Sequence, residues 1–220
     1  MLVSHIIENN FPQVHFTDKV SFALMLMDDY HVEHLAVVNE DKFAGIISKD
    51  LLLNEDENAE LGELYEQFDQ ACVLAHEHFL AAVKMMAEAG DISLVPVVNE
   101  SKDLLGVVTG KKLLHALSIF NAVEEPGGVI VMEMDRRNLS FGELSRLVET
   151  NDAYITQMNT YTETSTGLLQ VTIKVNKFEI SDIIATLQRY DYNIRYYFGE
   201  ELYENELKEN LDLLMTYLNI

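Results

Sequence analysis

Apolar residues in the first 120 positions alternate between a helical and a strand period, and they do so twice. Val20, Ala23, Leu24 and Met27 recur at helical spacing, whereas Leu35 to Val38 and Phe43 to Ile47 are short, β-branched runs bounded by Asn39-Glu40-Asp41 and by Ser48. Leu80, Val83, Met86 and Ala87 then mark a second helical stripe, Leu94 to Val98 and Leu104 to Val108 two further strands, and Lys111 to Ile119 another helix. The likeness extends to residue identity. Val37-Val38-Asn39-Glu40 returns as Val97-Val98-Asn99-Glu100 at an interval of 60, and Gly45-Ile46-Ile47-Ser48 returns as Gly106-Val107-Val108-Thr109 at an interval of 61. The first half is thus an internal duplication, and one copy alone would leave an apolar sheet face uncovered. Two copies packed sheet to sheet would close a core. A hydroxyl three residues past a glycine, present in both copies, points to a paired ligand cleft.

The pattern breaks at Glu124-Glu125-Pro126-Gly127-Gly128, a turn-forming string that reads as a linker. Beyond it the expected order is βαββαβ: a strand over Val129 to Met134, a helix over Ser140 to Thr150, strands over Ala153 to Tyr161 and Gly167 to Val175, a helix over Glu179 to Tyr190, and a strand over Asn193 to Phe198. That is the ferredoxin-like plan, an antiparallel sheet with both helices on one face. Tyr203, Leu207, Leu211, Leu214 and Leu218 then predict an amphipathic helix over 200–220, docked on the chain's own sheet or on a second subunit. The fold class is α+β. Its domains are 1–120 (repeats of about 1–60 and 61–120), 126–199 and the terminal helix 200–220.

Charge narrows the function classes. The 220 residues include 37 acids against 15 lysines and arginines, a formal net charge of −22, which disfavours nucleic acid and anionic membrane surfaces as partners. No apolar run approaches the ~20 residues of a membrane helix. The lone cysteine, Cys72, excludes an intrachain disulfide, and Met1 to Asn10 lack the basic and apolar regions of a signal peptide, so a cytoplasmic location is expected. Cys72 sits in the apolar run Ala71-Cys72-Val73-Leu74 and reads as a small core residue. His31 with His34, and His76 with His78, are close enough in sequence to share a metal but lack further ligands at diagnostic spacing, so no metal is assigned. No phosphate loop, nucleophile elbow or dinucleotide glycine signature is present, and no catalytic residue is assigned.

The duplicated unit, with its Val95-Pro96-Val97-Val98 strand and following Gly-x-x-Thr, resembles a tandem cystathionine β-synthase (CBS) domain pair over residues 1 to 120. The resemblance implies duplicated β-α-β-β-α units, a regulatory rather than catalytic role, and clefts that take an adenine nucleotide or S-adenosylmethionine, with no cofactor required. It also implies a homodimer formed through the helical faces, where Met25, Met27, Met85 and Met86 would line either the interface or the core. The family's signature is Gly-x-x-Thr-x-x-Asp, whose hydroxyl meets phosphate and whose carboxylate meets the ribose diol. Residues carried over are Ser48, Asp50, Val97, Thr109 and Lys112. Asp50 arrives one residue early, about 100° away around a helix, and Lys112 replaces the carboxylate and has no acceptor for a ribose hydroxyl. Ser48 and Thr109 also stand where a helix N-cap belongs, and Lys111 and Lys112 are either phosphate partners or solvated surface.

The segment 126–199 resembles an ACT domain, a ferredoxin-like module that binds amino acids in many regulators. Its first turn, Asp135-Arg136-Arg137-Asn138-Leu139, lacks that family's glycine; Arg136 and Arg137 would either clamp a carboxylate or pair with neighbouring acids. The CBS-then-ACT order resembles bacterial acetoin-utilisation-type proteins. The expectation is a small-ligand sensor, with a ligand-free dimeric scaffold that binds a protein partner through its acidic surface and terminal helix as the alternative.

Overall fold

In the computed structural model, which describes residues 1–90 and 92–199, the first repeat folds as β1 (Gln13–His15), α1 (Val20–Tyr30), β2 (His34–Asn39), β3 (Lys42–Ser48) and α2 (Lys49–Leu52). The second follows as β4 (Val73–Leu74), α3 (Leu80–Glu88), β5 (Leu94–Val98), β6 (Leu104–Thr109) and α4 (Gly110–Phe120). Each repeat builds a three-stranded sheet in which the outer and central strands run parallel and the central and third strands antiparallel. The parallel step needs a crossover, which α1 and α3 supply. This unit spans Met1–Ser118, and a second unit starts at Ile119.

Burial follows the helical period in α1, where Val20, Ala23 and Met27 are buried against Leu35, Val37 and Ile47. In α3 the phase differs from the expected stripe. Leu80 is 41% exposed and Ala87 is exposed, while Phe79 and Ala82 are buried and Met86 is partly buried. The reason is that α3 is apolar nearly all round, so the pattern of apolar residues does not set its rotation. Packing sets it: Phe79, Ala82 and Met86, the positional counterparts of Val20, Ala23 and Met27 at an interval of 59, are the positions turned inward.

The two sheets share a third core of Ala36, Phe43, Ile46, Ile92, Leu94, Val98 and Val107, which closes the pair as the duplication requires. At its centre the hairpins exchange backbone hydrogen bonds: Phe43 N donates to Lys102 O at 2.8 Å and Leu104 N to Asp41 O at 3.3 Å. Lys42 and Asp103 form a bridge and an ion pair there. Both hairpins carry a bulge at the same place. Val37 pairs with Gly45 and Val38 with Phe43, skipping Ala44; Val97 pairs with Gly106 and Val98 with Leu104, skipping Leu105. The second connection is one residue longer, and this changes the repeat interval from 60 to 61.

The second unit comprises β7 (Val129–Met134), α5 (Phe141–Glu149), β8 (Ile155–Thr162), β9 (Leu169–Val175), α6 (Ser181–Arg189) and β10 (Asn193–Phe198). The strands form one antiparallel sheet in the order β10-β7-β9-β8, the ferredoxin-like arrangement. Ile130, Met132, Val171 and Ile173 pack under Leu144, Leu147, Ile183 and Leu187 of the helices. Ser140 caps α5 by accepting from Glu143 N at 3.3 Å, and the Tyr192 hydroxyl donates to Glu143 Oε2 at 3.0 Å. The expected terminal helix, 200–220, lies outside the described residues.

Candidate functional site

The first unit holds two clefts related by the repeat, and each is built by a chain crossing at a glycine. Glu8 pairs antiparallel with Val107, its N donating to Val107 O at 2.8 Å and Val107 N donating to Glu8 O at 3.2 Å. Asp69 pairs with Ile46 in the same way, at 3.1 and 2.8 Å. Glu8 and Asp69 are 61 residues apart, as are Val107 and Ile46, so the crossings are equivalent. The neighbouring glycines make the approach feasible. A Cβ on Gly106, at φ +142°, would sit 2.6 Å from Ile7 Cγ2 and 2.7 Å from Glu8 O; one on Gly45, at φ +149°, would sit 2.5 Å from Phe68 Cβ.

One cleft, of about 430 Å³, is lined by residues 7–12, Tyr30, Val32 and Lys112. The other, of about 360 Å³, is lined by His34, Ile46, Ser48, Leu51, Gln67, Asp69, Ala89 and Ile92. Both volumes suit a small molecule. Val32 and Ile92 are equivalent positions, so the first cleft mixes the end of the first repeat's helix with the second repeat's motif, and the second cleft does the reverse.

The residues expected at the site are distributed unevenly. Ser48 lines the second cleft and caps α2, its oxygen accepting from Leu51 N at 3.2 Å. Thr109 donates its hydroxyl to Glu8 Oε1 at 2.6 Å and accepts from Lys112 N at 3.4 Å at the start of α4. Lys112 lines the first cleft. Asp50 is exposed and outside the cleft lining; its carbonyl accepts from Asn54 Nδ2 at 2.7 Å. Val97 is fully buried in the second repeat's core, paired with Val73 and Gly106. Lys49, beside Ser48, turns back to α1, its Nζ donating to Asp28 Oδ1 at 2.6 Å, and that bond raises its pKa. The structure adds Glu8, Asp69, Gln67, His34 and Tyr30, none of which belongs to the motif.

The other candidates have local explanations. His31 ends α1 in the left-handed conformation, at φ 54°, and His34 Nδ1 lies 3.0 Å from Ser93 Oγ. His78 packs on Phe79 with ring centroids 5.0 Å apart. Among the described residues no group of three or more His, Cys, Asp or Glu side chains is placed to hold a metal ion. Cys72 is partly buried and packs against the third core; its Sγ lies 3.4 Å from Lys102 Nζ. In the second unit, Asp135 accepts from Arg137 N at 2.9 Å and pairs with Arg137 Nε at 3.3 Å. Those bonds, the backbone one foremost, hold its carboxyl below the usual carboxylate range. Among the described residues no helix is long and apolar enough to cross a membrane.

The sequence profile of the CBS domain family matches residues 3–58 and 69–119. The structure of a CBS domain pair/ACT domain protein from Thermotoga maritima is similar, with 24% identity and a TM-score of 0.50, covering 55% of this chain and 98% of that one. CBSX2 in complex with AMP aligns at 19% identity and a TM-score of 0.48, covering 54% of this chain and 97% of that one. The CBS domain pair of protein MJ0100 in complex with 5′-methylthioadenosine and S-adenosyl-L-methionine aligns at 20% identity and a TM-score of 0.45, covering 55% and 98%.

Proposed function

We propose that this chain, whose residues 3–58 and 69–119 match the CBS domain family as a tandem pair, is a cytoplasmic, non-catalytic regulator whose clefts sense a small adenosyl ligand. The observation that carries the reading is the equivalence of the clefts: Ser48 and Asp69 line one, and Glu8, which accepts from the Thr109 hydroxyl at 2.6 Å, lines the other. A hydroxyl and a carboxylate offer donor and acceptor groups to a ribose, and apolar neighbours such as Val32 and Ile92 offer surface to a base. A ligand that bridges the two repeats biases their relative arrangement by its difference in affinity between arrangements. The ferredoxin-like unit, in the ACT-like reading, takes a second ligand or relays the change. The apolar residues Phe22, Met25 and Leu80, each at least 40% exposed on the helical faces, support a homodimer.

The test is calorimetric titration of the full chain with adenosine, AMP, ATP and S-adenosylmethionine, repeated on Thr109→Ala and Ser48→Ala. Saturable binding that weakens in the variants supports the sensor. Light scattering at several concentrations tests the dimer. A second reading, a ligand-free scaffold, is favoured by the use of both hydroxyls within the protein: Ser48 accepts from Leu51 N and Thr109 donates to Glu8. No binding by any of the four compounds, with a dimer retained, would select it.

A further inference from the structure

We infer that the clefts discriminate against phosphate, accepting an adenosyl group whose 5′ substituent is neutral or cationic and rejecting the 5′-phosphates of AMP and ATP. This rests on the adenosyl-sensor reading above and adds the charge of the ligand to it.

The first argument is the state of the hydroxyl. Thr109 is the residue that the family signature turns toward phosphate, but its proton is donated to Glu8 Oε1 at 2.6 Å. A hydroxyl has one proton, so with that proton engaged Thr109 has only acceptor lone pairs left to offer a ligand. A phosphate oxygen, itself an acceptor, would gain no hydrogen bond from that oxygen or from the carboxylate beside it.

Charge supplies the second argument. Glu8 and Asp69 line their clefts through equivalent backbone crossings; Asp69 is exposed, and its Oδ1 accepts from Ala71 N at 2.9 Å. Among the described residues Lys112 is the one lysine or arginine lining the first cleft, against Glu8, and none lines the second; Lys49, the residue after Ser48, pairs with Asp28 Oδ1 at 2.6 Å. A dianion entering the second cleft meets Asp69 with no lysine or arginine in the lining, and in the first cleft Glu8 offsets the attraction of Lys112, within a chain of formal net charge −22. A ribose diol or a sulfonium, by contrast, gains from the same carboxylates.

Full-length protein is titrated with adenosine, S-adenosylmethionine, AMP and ATP at one ionic strength, alongside Glu8→Gln, Asp69→Asn and the double variant, each checked for native circular dichroism. Adenosine or S-adenosylmethionine should bind at least tenfold more tightly than AMP, and ATP should bind more weakly than AMP. The double variant should narrow the adenosine-to-AMP ratio about tenfold. AMP binding as tightly as adenosine, or a ratio unchanged in the double variant, would overturn the selectivity while leaving an adenosyl sensor in place. Absence of binding by all four probes would overturn both.

Discussion

Thr109 and Glu8 are 101 residues apart in sequence, yet the threonine hydroxyl donates to the glutamate carboxylate at 2.6 Å. The contact ties the segment before β1 to the junction of β6 and α4, so it serves the fold as well as the cleft. Thr109→Ala removes this bond and the N-cap together. The expected cost is about 1–2 kcal/mol in urea unfolding, whereas Thr109→Ser, which keeps both bonds, should cost a fraction of that.

Gly106 permits that tie, and Gly45 does the same in the other repeat. Gly106→Ala puts a Cβ at φ +142°, 2.6 Å from Ile7 Cγ2 and 2.7 Å from a backbone oxygen, so the crossing strand must move. Destabilisation of about 2 kcal/mol or more is expected, together with faster amide exchange at Glu8 and Val107. Gly90→Ala is the control: it has a positive φ of +72° but nothing within 4 Å of the added carbon. Its cost should be smaller, and equal costs would refute the steric account.

Asp103 is held below the usual carboxylate range, first by the Lys42 ammonium and then by Asn99 Nδ2 at 2.7 Å. A lowered folded-state pKa means that the unfolded chain takes up the proton first as the pH falls. The stability difference between the native chain and Asp103→Asn should therefore be level from pH 5 to 7. It should shrink below about pH 4 as the carboxylate protonates. Added salt should diminish it, since the pair is exposed.

Tyr192 behaves in the opposite sense. Burial, and then its hydrogen bond to Glu143, push its hydroxyl up to about 12. The neutral form is favoured by folding, so the contribution is complete below the ordinary tyrosine value near 10 and is lost as pH rises from about 10 to 12. Tyr192→Phe should flatten that alkaline loss. Absorbance at 295 nm should show one tyrosine titrating late in the native chain and not in the variant.

Strand positions were readable because β-branched runs and turn residues mark them directly: Val129–Met134 and Asn193–Phe198 begin and end where the alternation does. The rotation of α3 was not, since Leu80, Ala81, Ala82 and Val83 are all apolar and only packing chooses among them. At the site, Ser48, Thr109 and Lys112 belong to a local motif and were visible. Glu8 and Asp69 were hidden, because isolated bridges from segments without periodicity bring them in. One signal was available: their separation equals that of Gly45 and Gly106, an interval that singles out acids shared by both copies.

Lys42 and Asp103 are the same position in the two copies, and they face each other where the hairpins cross. A chain assembled from two first halves would set ammonium against ammonium at that point, and one assembled from two second halves would set carboxylate against carboxylate. The opposite charges therefore favour the pairing of unlike halves over like ones, by the modest amount that an exposed ion pair contributes.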